Sequence, residues 1–307
     1  MTHDFIMKVS HLTKHYGEII AVDDISFVVP KATVFTVLGP NGAGKTTTME
    51  ILEGIREPDG GEIVLFGQPM KRITRAAKQR MGVLLQEGGF EPHLKVREII
   101  QLFASFFENR VSVDAILEQV ALTEKAGAQV RTLSGGQRQR MAVGAALVND
   151  PDLIFFDEPT TGLDPQARRN MWDIVSRLKA EGKSIVLTTH YMEEAEALSD
   201  SICIMDHGKI IAQGTVRELT GQLGEETLIE FRVDGILENQ LSALSACCDN
   251  VRQDGGLVTL ETKDLPSTMS ELLQWSETQG VPFQDLRVRQ PNLEDVFLTM
   301  TGRTLRE

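Results

Sequence analysis

The sequence predicts an α/β fold with a mainly parallel sheet flanked by helices, because short apolar runs alternate with helical patterns. The runs have the length of buried strands and read MGVLLQ, LIFFDE, SIVLTTH and SICIMD. A glycine-rich segment, GPNGAGKTT, follows another strand-like run, TVFTVL. The chain has 307 residues, of which 41% are hydrophobic, so it can bury a sizeable core, and we expect two domains.

The first elements are predicted to be strands, in IMKVSHL and ISFVV. A helix is expected after the glycine-rich segment, with Met49, Leu52 and Ile55 on one face, and EIVLFG predicts the next strand. Between Gly88 and Asp150 helical patterns such as VREIIQLFASFF replace the strands. This stretch predicts a helical insert in the α/β core.

The pattern changes again near Gly221. Beyond it, the runs TLIEFRV, ILENQLSALSA, TMSELLQWSETQ, FQDLRVR and LEDVFLTMT predict strand, helix, helix, strand and helix, with a hairpin around Gly255 after the first helix. We therefore expect a core domain of residues 1–222, with a helical subdomain at about 88–150, and a small α+β accessory domain of residues 223–307.

The glycine-rich segment matches every fixed position of the phosphate-binding loop G-x-x-x-x-G-K-[ST]. Its backbone N–H groups can converge on phosphates, Lys45 supplies a positive charge for the β- and γ-phosphates, and Thr46 offers a hydroxyl to Mg²⁺. The order of strand, glycine loop and helix is the context that this mechanism needs. The residues expected to contact a nucleoside triphosphate here are Gly39, Pro40, Asn41, Gly42, Ala43, Gly44, Lys45, Thr46 and Thr47.

LIFFDE places two carboxylates at the end of a buried central strand. Ligands of open α/β sheets bind at this edge, so we expect Asp157 to hold Mg²⁺. Glu158 is placed to orient or deprotonate a water that attacks the γ-phosphate. An acidic strand end that only caps the next helix stays open as an alternative.

LSGGQ stands directly before the helical run RQRMAVGAALV. Ser134 can cap this helix, and the amides of Gly135 and Gly136 can face an anion at the helix start. A plain capped helix would have the same sequence, so the segment decides little by itself.

Taken together in this order and spacing, GPNGAGKTT, LSGGQ, LIFFDE, TGLDP and a histidine closing SIVLTTH resemble the nucleotide-binding subunit of an ABC transporter over about two-thirds of the chain. The resemblance implies an ABC ATPase core of the P-loop NTPase class that hydrolyses Mg-ATP. It also implies a homodimer in which Ser134, Gly135, Gly136 and Gln137 of one copy cover the nucleotide held by the other.

The resemblance assigns roles to four further residues. Tyr16 matches the aromatic residue that stacks on adenine, although an ordinary half-buried tyrosine would look the same. Gln86 matches the glutamine that reaches Mg²⁺ and the attacking water and senses the membrane partner. Asp164 matches the residue linking the two sites of the dimer, and His190 the one that contacts the γ-phosphate. The catalytic set implied is Glu158, His190, Gln86 and Lys45.

One position departs from the family pattern. Before the phosphate loop the family usually has glycine and an acidic residue, where this chain has Ala32 and Thr33. We expect a changed turn and no loss of chemistry.

The C-terminal segment PNLEDVFLTMTGR resembles the ending of ATPases that serve type 2 ABC exporters, the group with daunorubicin-type resistance pumps. Within that resemblance the protein is a transport motor for a separate integral membrane permease, and it lies peripherally on the cytoplasmic face of the cell membrane. The alternative is a soluble ABC-type ATPase acting on ribosomes or DNA. A small-molecule kinase is disfavoured by LSGGQ.

Net charge and hydropathy indicate which kinds of partner the chain can have. The net charge of −13 argues against non-specific adhesion to nucleic acid, so we expect no nucleic-acid partner. The longest apolar stretch, MAVGAALV, is far shorter than a membrane span, and we expect the chain not to enter a membrane unaided. Motion driven by ATP must then be passed to another protein, and the stretch Gly88–Leu94 is where the resemblance places the permease.

Overall fold

The computed structural model describes residues 4–84, 89–224, 227–233, 235, 238–245 and 247–302. Within them the chain forms two compact units, one reaching Val216 and the other beginning at Arg217. The expected domain boundary after residue 222 lies close to this division and stays a prediction.

The first unit alternates strands and helices along most of its length. Its elements are β1 (Phe5–Tyr16), β2 (Ile19–Pro30), β3 (Val34–Leu38), α1 (Lys45–Leu52), β4 (Gly60–Leu65), β5 (Gln68–Met70), α2 (Arg75–Lys78), β6 (Met81–Leu84), α3 (Val96–Ala104), α4 (Val113–Gln119), α5 (Gly135–Leu147), β7 (Leu153–Asp157), α6 (Pro165–Ala180), β8 (Ser184–Thr189), α7 (Met192–Leu198), β9 (Ser201–Asp206) and β10 (Lys209–Gly214).

Among the described residues, six of these strands form one sheet in the order β10-β9-β3-β8-β7-β6. All neighbours from β9 to β6 are parallel, and β10 is antiparallel at the edge. The predicted mainly parallel sheet is confirmed. The strands β2-β1-β4-β5 form a separate antiparallel sheet, which the sequence patterns did not distinguish from the first.

The parallel sheet is covered on both faces, which is why its central strands are apolar throughout. Every residue of β3, β7 and β8 is buried. Along β7, Leu153 and Phe155 pack into a core shared with the antiparallel sheet and α1. Ile154 and Phe156 point to the opposite face and pack into a core shared with α3, α4, α5 and α6.

The helical insert is present as α3, α4, α5 and two short 3-10 turns, and its start at Gly88 lies outside the described residues. The prediction for the helix after the phosphate loop was partly wrong. Met49 and Leu52 are buried in α1, but Ile55 lies beyond the helix and is 56% exposed. Gly54 has a φ of 72°, the left-handed conformation that commonly ends helices, so the helical spacing does not extend to Ile55.

The second unit is a small α+β fold, as the sequence predicts. Its elements, with the helix at the division between the units, are α8 (Val216–Gly221), β11 (Thr227–Arg232), α9 (Glu238–Leu244), β12 (Asn250–Asp254), β13 (Leu257–Thr262), α10 (Leu265–Gln279), β14 (Gln284–Arg289) and α11 (Leu293–Thr301). The strands form an antiparallel sheet in the order β12-β13-β11-β14. Its core contains Ile229, Phe231, Leu260, Leu272 and Trp275.

Within the described part of the chain, no helix combines the length and the apolar character that crossing a membrane requires.

Candidate functional site

The phosphate loop runs from the end of β3 to the start of α1 with very little space around its backbone. A Cβ on Gly39 would lie 2.3 Å from the carbonyl oxygen of Met205, and one on Gly44 would lie 2.3 Å from that of Ala21. Gly44 also has a φ of 100°, which side chains rarely tolerate. Both positions therefore require glycine, and the loop keeps the conformation that directs backbone amides toward a phosphate.

Lys45 is the first residue of α1, and its side chain is only 4% exposed. Its Nζ donates hydrogen bonds to the carbonyl oxygens of Gly39, at 2.9 Å, and Pro40, at 3.1 Å. The same Nζ lies 3.3 Å from Oε1 of Glu158. The lysine is thus held inside the loop, at the position expected for contacts with phosphate oxygens.

The remaining loop residues lie at the surface or in the wall of the site. Asn41, Gly42 and Thr46 are exposed, and Thr47 is half-buried. Ala43 is buried, and its N–H donates to Pro40 O at 3.2 Å. The exposed position of Thr46 is compatible with its predicted contact to a ligand.

Asp157 ends β7 beside Thr188 of β8, to which it is the register partner. The Thr188 hydroxyl donates a hydrogen bond to Oδ1 of Asp157. Burial raises the pKa of the Asp157 carboxyl group above its ordinary range, while the Thr188 hydrogen bond acts in the opposite direction. A nearby cation would stabilise the charged form of this buried carboxyl group. Asp157 can therefore serve as a metal ligand.

Glu158 has a φ of 47°, an uncommon conformation for a residue other than glycine. Its N–H donates to Oγ1 of Thr188 at 2.9 Å, and its Oε2 accepts from the Thr161 hydroxyl at 3.1 Å. Nδ1 of His190 lies 3.4 Å from the same Oε2. Burial would raise the pKa of Glu158, but Lys45 and His190 outweigh it and lower the pKa, so the carboxylate is ionised at neutral pH.

The LSGGQ segment and TGLDP begin two neighbouring helices. Ser134 caps α5 by accepting from Gln137 N–H at 3.2 Å, and the Gln137 side chain accepts from Ser134 N–H at 3.0 Å. Asp164 caps α6 by accepting from Ala167 N–H at 2.8 Å. A Cβ on Gly136 would lie 2.9 Å from Cβ of Ala167, so the two helix starts are adjacent.

The predicted site residues are therefore only partly brought together within one chain. Lys45, Asp157, Glu158 and His190 form one cluster. Among the described residues, no hydrogen bond or ion pair joins the segment 134–137 to Lys45 or Glu158.

Tyr16 and Gln86 complete the set of sequence predictions. Tyr16 is the last residue of β1 and is 38% exposed, so its ring is accessible to a base. Gln86 lies outside the described residues.

Thr188 contacts both carboxylate residues of the candidate site, and sequence reasoning missed it. It donates to Asp157 and accepts from the backbone of Glu158, so one hydroxyl orients both carboxylate residues. The signal was present in SIVLTTH, where polar residues end a strand that is otherwise apolar and buried. The order of strands in the sheet, which places β8 beside β7, was needed to use it.

Comparison with known proteins agrees with this geometry. Residues 22–161 match the ABC transporter family model, and residues 227–292 match the C-terminal domain of ABC transporter domain-containing protein-like sequences. The Nod factor export ATP-binding protein I of Ralstonia nicotianae is 41% identical over 308 residues, covering 98% of this chain and 95% of the relative. The linearmycin resistance ATP-binding protein LnrL of Bacillus subtilis is 35% identical over 311 residues, covering 98% and 100%.

Solved structures show the same core. An ATP-binding subunit of an ABC transporter superposes with a TM-score of 0.63 at 27% identity, covering 71% of this chain and 93% of its own. The ADP conformation of an ATP-binding cassette of an ABC transporter gives 0.63 at 26%, covering 70% and 92%.

The phosphate loop, the paired carboxylates and these relationships define a P-loop ATPase, and the chain belongs to the family of ABC transporter ATP-binding subunits. Within that family it is an ATP-hydrolysing subunit of the exporter-like type, and the alternative of a soluble ATPase acting on ribosomes or DNA is not favoured.

Proposed function

We propose that this subunit works as a homodimer on the cytoplasmic face of the cell membrane, where Mg-ATP hydrolysis drives a separate integral membrane permease. Support comes from the relatives, which are named as export and resistance ATP-binding proteins. A solved cassette that shares this fold at 24% identity is described as dimeric.

The roles proposed for the phosphate site follow from its charges. Lys45 and the loop amides bind the β- and γ-phosphates. Thr46 and Asp157 hold Mg²⁺, joined by Gln86, whose role rests on the sequence resemblance. The hydroxyl of the exposed Thr46 and the carboxyl group of the buried Asp157 are oxygen ligands of the kind that Mg²⁺ prefers. When bound, Mg²⁺ neutralises charge on the phosphate oxygens.

The observation that carries the catalytic proposal is the placement of the Glu158 carboxylate between Lys45 Nζ, at 3.3 Å, and His190 Nδ1, at 3.4 Å. The carboxylate is ionised, so it can accept a proton or orient a water beside the γ-phosphate. His190, at the edge of the same cluster, is proposed to contact the γ-phosphate.

Glu158→Gln tests this role because it keeps the shape of the side chain and removes its basicity. We expect ATP binding to be retained and turnover to fall by about 10²- to 10⁴-fold, the usual contribution of a general base. Glu57→Gln is the matched control, since Glu57 is exposed and pairs with Arg72. Hydrolysis near the wild-type rate in Glu158→Gln would remove Glu158 from the mechanism.

The adjacent N-terminal ends of α5 and α6 form the surface proposed to contact the second copy in the homodimer. Ser134, Gly135 and Asp164 are exposed, and the N-termini of α5 and α6 carry partial positive charge that favours an anion. We propose that this surface of one copy covers the nucleotide held by the phosphate loop of the other.

Mixing two inactive variants tests the shared site. Chains with Ser134→Arg and chains with Lys45→Ala should each be inactive alone. Their mixture should recover part of the activity, because one hybrid dimer retains one intact composite site. Activity that is linear in protein concentration, without recovery on mixing, would contradict the proposal.

The permease is proposed to dock on an apolar cavity of about 410 Å³ at the helical insert. Phe90 and Phe103 line it with ring centroids 5.6 Å apart. Leu102 and Phe106 line it too and are 45% and 63% exposed. An exposed apolar surface of this kind indicates an interaction site.

A charged side chain introduced into the cavity should disrupt docking of the permease without affecting ATP hydrolysis. Phe90→Asp should leave the ATPase activity of the isolated subunit near wild type and reduce membrane association and export. Val28→Asp is the control, because Val28 is 39% exposed on β2 in the antiparallel sheet. Normal export by Phe90→Asp would exclude this docking surface.

A further inference from the structure

The ring of Tyr16 lies beside the loop that follows the phosphate-binding helix α1. The guanidinium carbon of Arg56 lies over the ring, 5.5 Å from its centroid, within the range of a cation–π contact. Tyr16 keeps 38% of its surface exposed. The ammonium group of Lys14 in β1 also lies over the ring, 5.7 Å from its centroid. The ring therefore has two cationic neighbours, of which only Arg56 belongs to this loop, and part of its area stays accessible to a ligand.

Arg56 is itself tied to α1. Its guanidinium pairs with the carboxylate of Glu50, and the N–H groups of Ile55 and Arg56 donate to the carbonyl oxygen of Glu50 at 2.8 and 3.0 Å. Since Lys45 begins the same helix, backbone and side-chain contacts link the phosphate-binding lysine to the arginine over the ring.

The end of β1 is held by the same loop. Asp59 accepts from Lys14 Nζ at 2.8 Å and from His15 N–H at 2.6 Å. Asp59 N–H donates to Thr13 O at 2.9 Å. Residues 13–15 are thereby fixed to the loop, which leaves the Tyr16 side chain to be oriented by its own neighbours.

We propose that Arg56 is a positioning residue for the nucleotide base: it fixes the Tyr16 ring, relative to α1, in the orientation on which the base stacks. This inference rests on the proposed stacking of the base on Tyr16. Glu50 orients the planar guanidinium, and the guanidinium restricts the ring, so less side-chain freedom is lost when the base binds.

Removing the contact between Arg56 and Tyr16 should weaken nucleotide binding modestly, and only for ligands that carry a base. A cation–π contact at an exposed site corresponds to about a two- to fivefold change in an equilibrium constant. Arg56→Ala should therefore raise the Kd for ATP by about two- to fivefold. Tripolyphosphate, which has no base, should bind Arg56→Ala and the wild type equally.

The experiment is a double-mutant cycle on the full chain, with Arg56→Ala, Tyr16→Ala and the double variant. Calorimetry in EDTA measures the Kd for ATP without hydrolysis, and tripolyphosphate is the second probe. The loss caused by Arg56→Ala should disappear in the Tyr16→Ala background. Arg56→Lys keeps the charge without the planar fork and should recover part of the affinity.

The matched control is Arg72→Ala, since Arg72 is an exposed arginine that pairs with Glu57 at 3.0 Å. Equal losses for ATP and tripolyphosphate in Arg56→Ala would show that Arg56 acts through the phosphate-binding helix and would overturn the inference. The same loss in the Tyr16→Ala background would overturn it too. An unchanged Kd in Tyr16→Ala itself would refute the base site and, with it, the inference.

Discussion

Glu53, directly after α1, is a buried carboxyl group that should make stability depend strongly on pH. The residue is 5% exposed, and its Oε1 has no hydrogen-bond partner among the described residues. Burial, reinforced by repulsion from Asp157 and Glu50, raises its pKa from 4.5 to about 8, against the opposing attraction of Lys78. The folded chain therefore keeps a proton on Glu53 at neutral pH.

The pH dependence of stability follows from the difference in the Glu53 pKa between the folded and the unfolded chain. In the unfolded chain Glu53 ionises near pH 4.5, whereas in the folded chain it ionises near 8. The folded state binds more protons between these values, so the free energy of unfolding falls as pH rises from about 4.5 to about 8. At about 1.4 kcal/mol for each pH unit, Glu53 accounts for a fall of up to about 5 kcal/mol.

Glu53→Gln removes this titration and keeps the size of the side chain. Urea denaturation should be measured from pH 5 to pH 8.5 for the wild type and for Glu53→Gln. The variant should gain stability relative to the wild type as pH rises, by several kcal/mol in total. Glu57→Gln, at an exposed carboxylate, should run parallel to the wild type. Parallel curves for Glu53→Gln would refute the assignment.

Three further predictions concern local features of the structure. Ala32 has a φ of 56°, so Ala32→Gly should raise the free energy of unfolding by up to about 1 kcal/mol in urea denaturation. The control is Ala115→Gly at an exposed position of α4, which should lower it by about 1 kcal/mol. Equal effects of the two substitutions would contradict this reasoning. Thr188→Val should lower the free energy of unfolding by about 1–3 kcal/mol, because two polar partners lose their hydrogen bond; an unchanged thermal midpoint would argue against it. Arg289→Met leaves two partly buried carboxylates unpaired and should lower the stability of the second unit by about 2 kcal/mol. Amide hydrogen exchange should become faster in the second unit while ATPase activity is retained. Unchanged exchange in the second unit would contradict this stabilising role of Arg289.

The sequence predicted the parts of the fold and site that depend on local pattern. The strand, glycine loop and helix around Lys45, and the carboxylates Asp157 and Glu158 at the end of β7, were visible because burial on both faces gives uninterrupted apolar runs. The elements of the second unit were also readable, because their apolar runs and helical spacing are local patterns and Gly255 marks the hairpin between β12 and β13.

Features that depend on tertiary pairing were not readable. Strand patterns alone did not show that β1, β2, β4 and β5 form their own sheet, because an apolar run does not tell which strand it pairs with, and β5 is only three residues long. Thr188 became significant only through the register of β8 with β7. The error at Ile55 arose because the left-handed turn at Gly54 ends the helix before the apolar spacing does.

The position of β3 has a consequence for how the chain folds during synthesis. β3 pairs with β8 and β9, and the register partners Val34 and Ile185 are separated by roughly 150 residues of sequence. At about 5–20 residues per second, translation leaves β3 without these neighbours for about 8 to 30 seconds. The antiparallel sheet pairs β1 with β2 and β4 and can form earlier, because its contacts are closer in sequence. A nascent chain ending before β8 should therefore fail to bind ATP, and acquisition of ATP binding should mark completion of the parallel sheet.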